Sequence, residues 1–205
     1  CIYNPLNIEY IKKVSNEKIK VNFFKGYKKI KIIFIGRFVD QKDPMTFVKA
    51  LDVLQNKIDF RSIIIGKGHY YKALQNFLLY KKLRYKVKII KWQSNPYKYL
   101  KASDLLVLTS RYEGLPNVLL EAISLKKNVI STDCPTGPKE ILDNGKGGDL
   151  FKVGDFKQLS KKILLINKYK KKYNNKIKFA YKRLKRFDYN KNLERYLKEI
   201  ISEMN

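Results

Sequence analysis

Short, mostly apolar and β-branched runs recur along the chain at positions 30–35, 62–65, 87–90, 105–109 and 129–132. Each reads as a near-continuous apolar stretch, which is the pattern of a strand buried on both faces of a parallel sheet. Between them the apolar positions switch to helical spacing, as in Phe47, Val48, Leu51, Leu54 and again in Leu74, Phe77, Leu78. A β-α repeat of this kind predicts an α/β domain, a Rossmann-like doubly wound parallel sheet with right-handed crossovers. Helix starts are marked by Asp43-Pro44, a capping carboxylate before a proline, and by Gly137-Pro138 with Glu140 in the first turn. Beyond Gly154-Asp155 the pattern is wholly helical. Leu193, Tyr196, Leu197, Ile200, Ile201 and Met204 form one stripe, so the last helix has an apolar face to bury, on its own domain or on a neighbour. Residues 12–29, rich in Lys and Asn, yield no assignment. The expected division is a lead-in segment (1–29), a Rossmann-like domain (30–186) and a C-terminal amphipathic helix (187–205).

Composition adds limits. In 205 residues, 44% are hydrophobic and 13% aromatic, which excludes intrinsic disorder. No apolar run approaches the roughly 18 to 20 residues that a membrane span needs. The first residues, Cys1-Ile2-Tyr3-Asn4-Pro5, lack a signal-peptide profile and an initiator Met, so the chain is expected to come from the middle of a longer protein. Cys1 and Cys134 are too far apart in sequence for a disulfide framework, and with one histidine no metal site is expected. Both thiols read as reduced cytosolic side chains.

Charge is the most conspicuous bulk property: 45 Lys+Arg against 18 Asp+Glu give a net +27. That invites a nucleic-acid reading, but only seven of the basic residues are Arg, the side chain suited to bidentate phosphate recognition. The abundance of Lys, Asn, Ile and Tyr also fits a gene written in AT-rich codons. The excess is densest in residues 157–205, with 16 basic and 4 acidic side chains. This basic tail either meets anionic lipid headgroups or forms a solvated helix face.

In an open parallel sheet, ligands bind outside the carboxyl ends of the strands, so the residues that follow each strand are the candidates. After the first strand come Gly36, Arg37 and Lys42; the glycine allows a sharp turn, and the two cations suit a diphosphate. After the fourth comes Glu113-Gly114-Leu115-Pro116-Asn117-Val118-Leu119-Leu120-Glu121. Gly114 breaks the chain and Pro116 fits a helical first turn. The amides of Leu115, Asn117 and Val118 are then donors at a helix N-terminus, a ready anion site. Glu121 falls a turn further on, where a carboxylate can accept both hydroxyls of a ribose. Two carboxylates so placed address different parts of one ligand rather than act as an acid/base pair.

The Glu113-to-Glu121 frame resembles the donor-site signature of the retaining GT-B glycosyltransferases of family 4. Ile2-Tyr3-Asn4-Pro5 is similar to the segment entering that family's nucleotide-sugar domain, and Ile35-Gly36-Arg37-Phe38 with Gln41-Lys42-Asp43 to its phosphate loop. Gly66-Lys67-Gly68 resembles its Gly-x-Gly turn, and the stretch from Asp133 to Leu142 a branch that often uses N-acetylhexosamine donors. The resemblance implies Arg37, Lys42 and Glu113 as catalytic residues. It implies donor binding through Gly36, Trp92, Gly114, Leu115, Pro116, Asn117, Val118 and Glu121. Trp92, in the loop beside the base, either stacks on it or is a core or rim residue.

The implied activity is transfer of a hexose or N-acetylhexosamine from a UDP-sugar to a cell-surface or lipid-linked glycan. No cofactor or metal is needed, and the setting is the cytoplasm or the inner membrane face. An N-terminal acceptor domain is missing, so the chain alone is expected to bind nucleotide and transfer poorly. Lys126-Lys127 stands where the family often has Gly, and His69, with no carboxylate nearby in sequence, reads as a surface residue at a helix start. The rivals are a nucleotide-binding module without transferase activity, a GT-B type UDP-sugar epimerase, which the paired glutamates disfavour, and a nucleic-acid-binding protein, for which no motif is present.

Overall fold

A computed structural model of the chain describes residues 3, 5–19 and 23–204. Cys1 and two positions of the lead-in motif, Ile2 and Asn4, lie outside the described residues. In chain order the elements are α1 (Ile8–Val14), β1 (Ile30–Ile35), α2 (Pro44–Leu54), β2 (Phe60–Gly66), α3 (Tyr71–Tyr80), β3 (Val87–Lys91), α4 (Tyr97–Ala102) and β4 (Leu105–Leu108). Then come α5 (Asn117–Ser124), β5 (Asn128–Thr132), α6 (Pro138–Ile141), β6 (Asp149–Phe151), α7 (Phe156–Lys168), α8 (Lys170–Arg183) and α9 (Tyr189–Met204).

The strands form one parallel sheet in the order β3-β2-β1-β4-β5-β6. Side chains alternate between its faces, so each apolar run feeds two cores. Ile32, Phe34, Ile64, Leu105 and Val107 face one layer, closed by Phe47, Val48 and Leu51 of α2 and Leu159 and Ile163 of α7. Ile33, Ile63, Ile65, Leu106 and Leu108 face the other, closed by Leu119, Leu120 and Ile123 of α5, with Ile11 of α1 and Ala180 of α8. Each such fully buried Phe, Ile or Leu stabilises the fold by about 1.5–3 kcal/mol. The sheet reverses direction of growth between β1 and β4, and the loops that follow those two strands open on the crevice at this reversal.

Several expectations change in detail. The five strands stand where the apolar runs put them, while the three-residue β6 escapes notice because Asp149-Leu150-Phe151 is too short and too mixed to read. Part of the unassigned stretch is helix: Asn7 caps α1 by accepting from the Tyr10 N–H. Leu6, in the lead-in segment, hydrogen-bonds through its N–H to the Phe187 carbonyl, so the two ends of the domain run side by side. The apolar stripe of α9 is exposed from Leu193 to Ile201, with Ile200 55% and Ile201 58% accessible. Two lysines of the basic tail turn inward: Lys176 of α8 sits 2.5 Å from the buried Asp149, and Lys162 of α7 lies 4.0 Å away.

Candidate functional site

The loops that follow β1 and β4 form one rim. Asp43, at φ 40° and ψ 60°, caps α2 by accepting from the Thr46 N–H, as its place before Pro44 predicts. Thr109, buried at the end of β4, donates to the carbonyls of both Lys42 (2.9 Å) and Asp43 (2.8 Å). The Arg111 N–H donates to the Gln41 carbonyl at 2.8 Å, and the Arg111 guanidinium lies 3.2 Å from the Asp43 carboxylate. Gln41 accepts from Arg37 at 2.9 Å and donates to the Tyr112 carbonyl.

At the centre of this rim, Lys42 Nζ lies 2.5 Å from Glu113 Oε1, with the two side chains only 17% and 7% exposed. Ser110 Oγ donates to the same carboxylate oxygen at 2.6 Å. The loop that follows β5 closes over the third side: the Thr136 hydroxyl donates to the Glu113 carbonyl, and Thr132 donates to the Ser110 carbonyl at 2.6 Å.

Glycines divide into those the fold requires and those it does not. The sharp turn expected at Gly36 does not need a glycine: its φ lies outside the left-handed region, and an added Cβ would make ordinary contacts with the Phe34 ring at 3.4 Å and Lys42 Cγ at 3.6 Å. The close approach belongs instead to Gly66, whose Cβ would fall 2.0 Å from the Gly36 carbonyl oxygen. Gly137, at φ +37°, packs so tightly on the Gly114 carbonyl that a Cβ would fall 1.8 Å from it. Gly114 has no atom within 4 Å of its missing Cβ. The side of Gly114 where a side chain would stand faces open space, where a ligand can come up to the backbone, while its carbonyl is covered by Gly137 and Thr136.

Pro116 precedes α5 rather than sitting in its first turn, with φ −73° and ψ 99°. No side chain caps α5, so the first-turn amides of Asn117 and Val118 have no acceptor within the helix. Glu121 follows on the same helix. Burial raises its pKa, and the hydrogen bond it accepts from the Tyr97 hydroxyl at 3.2 Å pulls the other way. Trp92 stands apart from this rim: it is 59% exposed and lines a depression of about 380 Å³ with Gly66, Lys67, Gly68, Tyr71 and Lys91. Its exposure excludes the core alternative for Trp92. A second cavity, of about 660 Å³, is lined by Asp133, Cys134, Thr136, Gly137 and Glu140 beside the Glu113 loop.

Side-chain pairing was the part missed from sequence. An Arg–carboxylate pair and a solvated lysine would be the ordinary outcome for the β1 loop, and the reverse is found: Lys42 has the carboxylate and Arg37 an amide. His69 is exposed as expected, yet the fold brings Asp40 within 3.3 Å of it. Ser110 and Tyr97 were not singled out; the one available signal for Ser110 was a hydroxyl at the end of an apolar strand. No group of three or more His, Cys, Asp or Glu able to hold a metal ion occurs among the described residues.

The family model of the glycosyl transferases group 1 matches residues 15–183. An uncharacterized glycosyltransferase of Methanocaldococcus jannaschii is 36% identical over 141 residues, 68% of this chain and 35% of that protein. A Campylobacter jejuni N-acetylgalactosaminyltransferase, named for a diphospho-undecaprenol-linked acceptor, is 28% identical over 190 residues, 91% of this chain and 49% of that one. The chain thus spans half or less of the length of these curated relatives. Among solved structures, Anabaena HepE in complex with UDP and glucose superposes with a TM-score of 0.86 at 21% identity, over 98% of this chain and 56% of that one. That superposition shows the fold to be the Rossmann-like half of a GT-B architecture.

Proposed function

The chain belongs to the group 1 glycosyl transferases, and from that premise we propose that it is the donor-binding part of a retaining, family 4 enzyme. The donor is a UDP-hexose or UDP-N-acetylhexosamine. The acceptor is a lipid-linked or cell-surface glycan, met at the inner face of the membrane and held by an N-terminal acceptor domain outside this sequence. Residues 1–29 act as the lead-in, 30–186 as the donor domain and 187–205 as the terminal helix. The single observation that carries the reading is the Lys42–Glu113 contact on a rim that also presents Arg37 and the uncapped start of α5.

On this reading the diphosphate lies against Gly36, Arg37, Lys42 and the stretch Gly114-Leu115-Pro116-Asn117-Val118. The bare Gly114 backbone and the free amides of α5 supply donors, and helix-end donors favour anions. As the diphosphate takes up the Lys42 ammonium, Glu113 is released to accept hydroxyl donors of the sugar. Glu121 holds the ribose and Trp92 borders the base. When the sugar–phosphate bond breaks, its electron pair leaves with UDP. Arg37 and Lys42 stabilise that growing charge in place, with no metal and no cofactor. The names of the C. jejuni relative and of the HepE complex support a lipid-linked acceptor and a UDP donor respectively.

Calorimetry of the chain with UDP, GDP, ADP and a panel of their sugars tests the reading. Binding that is selective for UDP and its sugars is expected. Titrations flat for every nucleotide overturn it.

A further inference from the structure

Glu121 is a half-buried carboxylate of the site, and no ion pair reaches it among the described residues. Its hydrogen-bond partner is the Tyr97 hydroxyl, 3.2 Å from Oε1. A carboxylate that must accept two neighbouring hydroxyls has to present its edge in one plane. A partly desolvated carboxylate without a cation lacks the usual means of holding that plane.

Tyr97 supplies it from a fixed base. It is the first residue of α4, and Asn95 Oδ1 accepts from the Tyr97 N–H at 3.1 Å. Asn95 is itself tied down, because its amide donates to the Val14 carbonyl at the end of α1 at 2.9 Å. The following turn of α4 buries Tyr99 and Leu100 in the core layer shared with α5, so the helix carrying Tyr97 does not slide relative to the helix carrying Glu121. The Tyr97 hydroxyl occupies one acceptor position of Oε1, so the second lone pair of Oε1 and all of Oε2 stay available to a pair of ligand hydroxyls. It also donates without bringing a charge that would compete for the carboxylate.

We propose that Tyr97 is a positioning residue for ribose recognition: its hydroxyl orients the Glu121 carboxylate to accept the 2′ and 3′ hydroxyls of the nucleotide. The proposal rests on the donor-pocket reading of the rim. It adds that discrimination between ribose and a sugar lacking those hydroxyls depends on a phenol that never touches the nucleotide.

The experiment is calorimetry of the chain and its Tyr97→Phe, Glu121→Gln and doubly substituted variants with UDP and with 2′,3′-dideoxy-UDP. The quantity read is the ratio of the two affinities within each protein, so a smaller folded fraction in a variant cancels. Loss of a hydrogen bond to a charged group is worth about tenfold in affinity. The wild-type ratio should therefore fall about tenfold in Tyr97→Phe through UDP alone. It should fall at least as far in Glu121→Gln, and the double variant should go no further than Glu121→Gln. An unchanged ratio in Tyr97→Phe, or equal weakening of both nucleotides, overturns the positioning role while leaving the pocket intact. A wild-type chain that binds neither nucleotide overturns the donor-pocket reading itself, and this proposal with it.

Discussion

Lys42 and Glu113 stand 71 positions apart in the chain, yet the ammonium of one lies 2.5 Å from the carboxylate of the other. The pair joins the loop of β1 to the loop of β4 across the point where the sheet reverses. It keeps a nearly buried carboxylate neutralised.

Removing one partner of such a pair strands the other charge. Lys42→Ala should destabilise the chain by about 3 kcal/mol, since the 7%-exposed Glu113 would keep only the Ser110 hydroxyl. Lys42→Ala with Glu113→Gln should recover most of that loss, because no buried charge is left unpaired. Urea unfolding of the three proteins reads the difference. A midpoint in Lys42→Ala equal to wild type would show that the pair is solvated and unimportant to the fold.

Arg37 predicts the opposite split. It is exposed and its partner is the neutral Gln41, so Arg37→Ala should change stability by no more than about 0.5 kcal/mol. In a longer enzyme of the kind the proposed function requires, the same change should lower turnover by about 10²–10³-fold, the usual loss when one stabiliser of developing charge is removed. Progress curves under saturating donor test this, and unimpaired turnover removes Arg37 from the mechanism.

The two glycines that meet between the β4 and β5 loops should respond differently to the same methyl group. Gly137→Ala places a Cβ 1.8 Å from the Gly114 carbonyl at a positive φ, so it should cost at least about 2 kcal/mol of stability. Gly114→Ala meets nothing within 4 Å and should leave the unfolding midpoint nearly unchanged. It should weaken UDP binding, because the added methyl occupies the approach to the peptide. Thermal melting and calorimetry of the pair separate the two roles, and normal UDP binding by Gly114→Ala would deny the approach.

Much of this was legible in the chain before it was folded, and the boundary is physical. The strands at Ile33, Ile64 and Leu106 announced themselves because a strand covered on both sides cannot alternate with polar residues. The Glu113–Glu121 frame was legible because a glycine, a proline and two carboxylates stand at fixed spacing. What stayed hidden depends on distance in space alone: the choice of Lys42 rather than Arg37 as partner of Glu113, the seat of Tyr97 over Glu121, and the approach of Asp40 to His69. The steric demand on Gly66 was hidden for the same reason, since it comes from the Gly36 carbonyl in the loop that follows β1. The exposed stripe of α9 was visible as amphipathic, while its exposure in the folded domain could not be read from periodicity.

Glu121 gives a dependence on pH whose sign follows from its burial. Its folded-state pKa is raised above the ordinary carboxylate value because burial penalises the ionised form, and the Tyr97 hydroxyl only partly offsets this. The folded chain therefore binds this proton more tightly than the unfolded chain does. Stability contributed by the group falls as pH rises from the unfolded pKa through the folded one, so near neutrality the ionised Glu121 opposes folding. Glu121→Gln, which keeps the shape and loses the charge, should raise the urea midpoint at neutral pH. That gain should shrink toward zero below the ordinary carboxylate range, where both proteins are uncharged at this position. Nucleotide affinity should run the other way: it needs the ionised acceptor, so UDP binding should weaken as pH drops through the raised pKa, and the weakening should be shallower in Glu121→Gln, where only protonation of the nucleotide's own terminal phosphate remains. Unfolding and calorimetry across pH 4 to 8 measure both trends, and a midpoint lowered by Glu121→Gln at neutral pH would mean that the charge is held by a partner stronger than Tyr97.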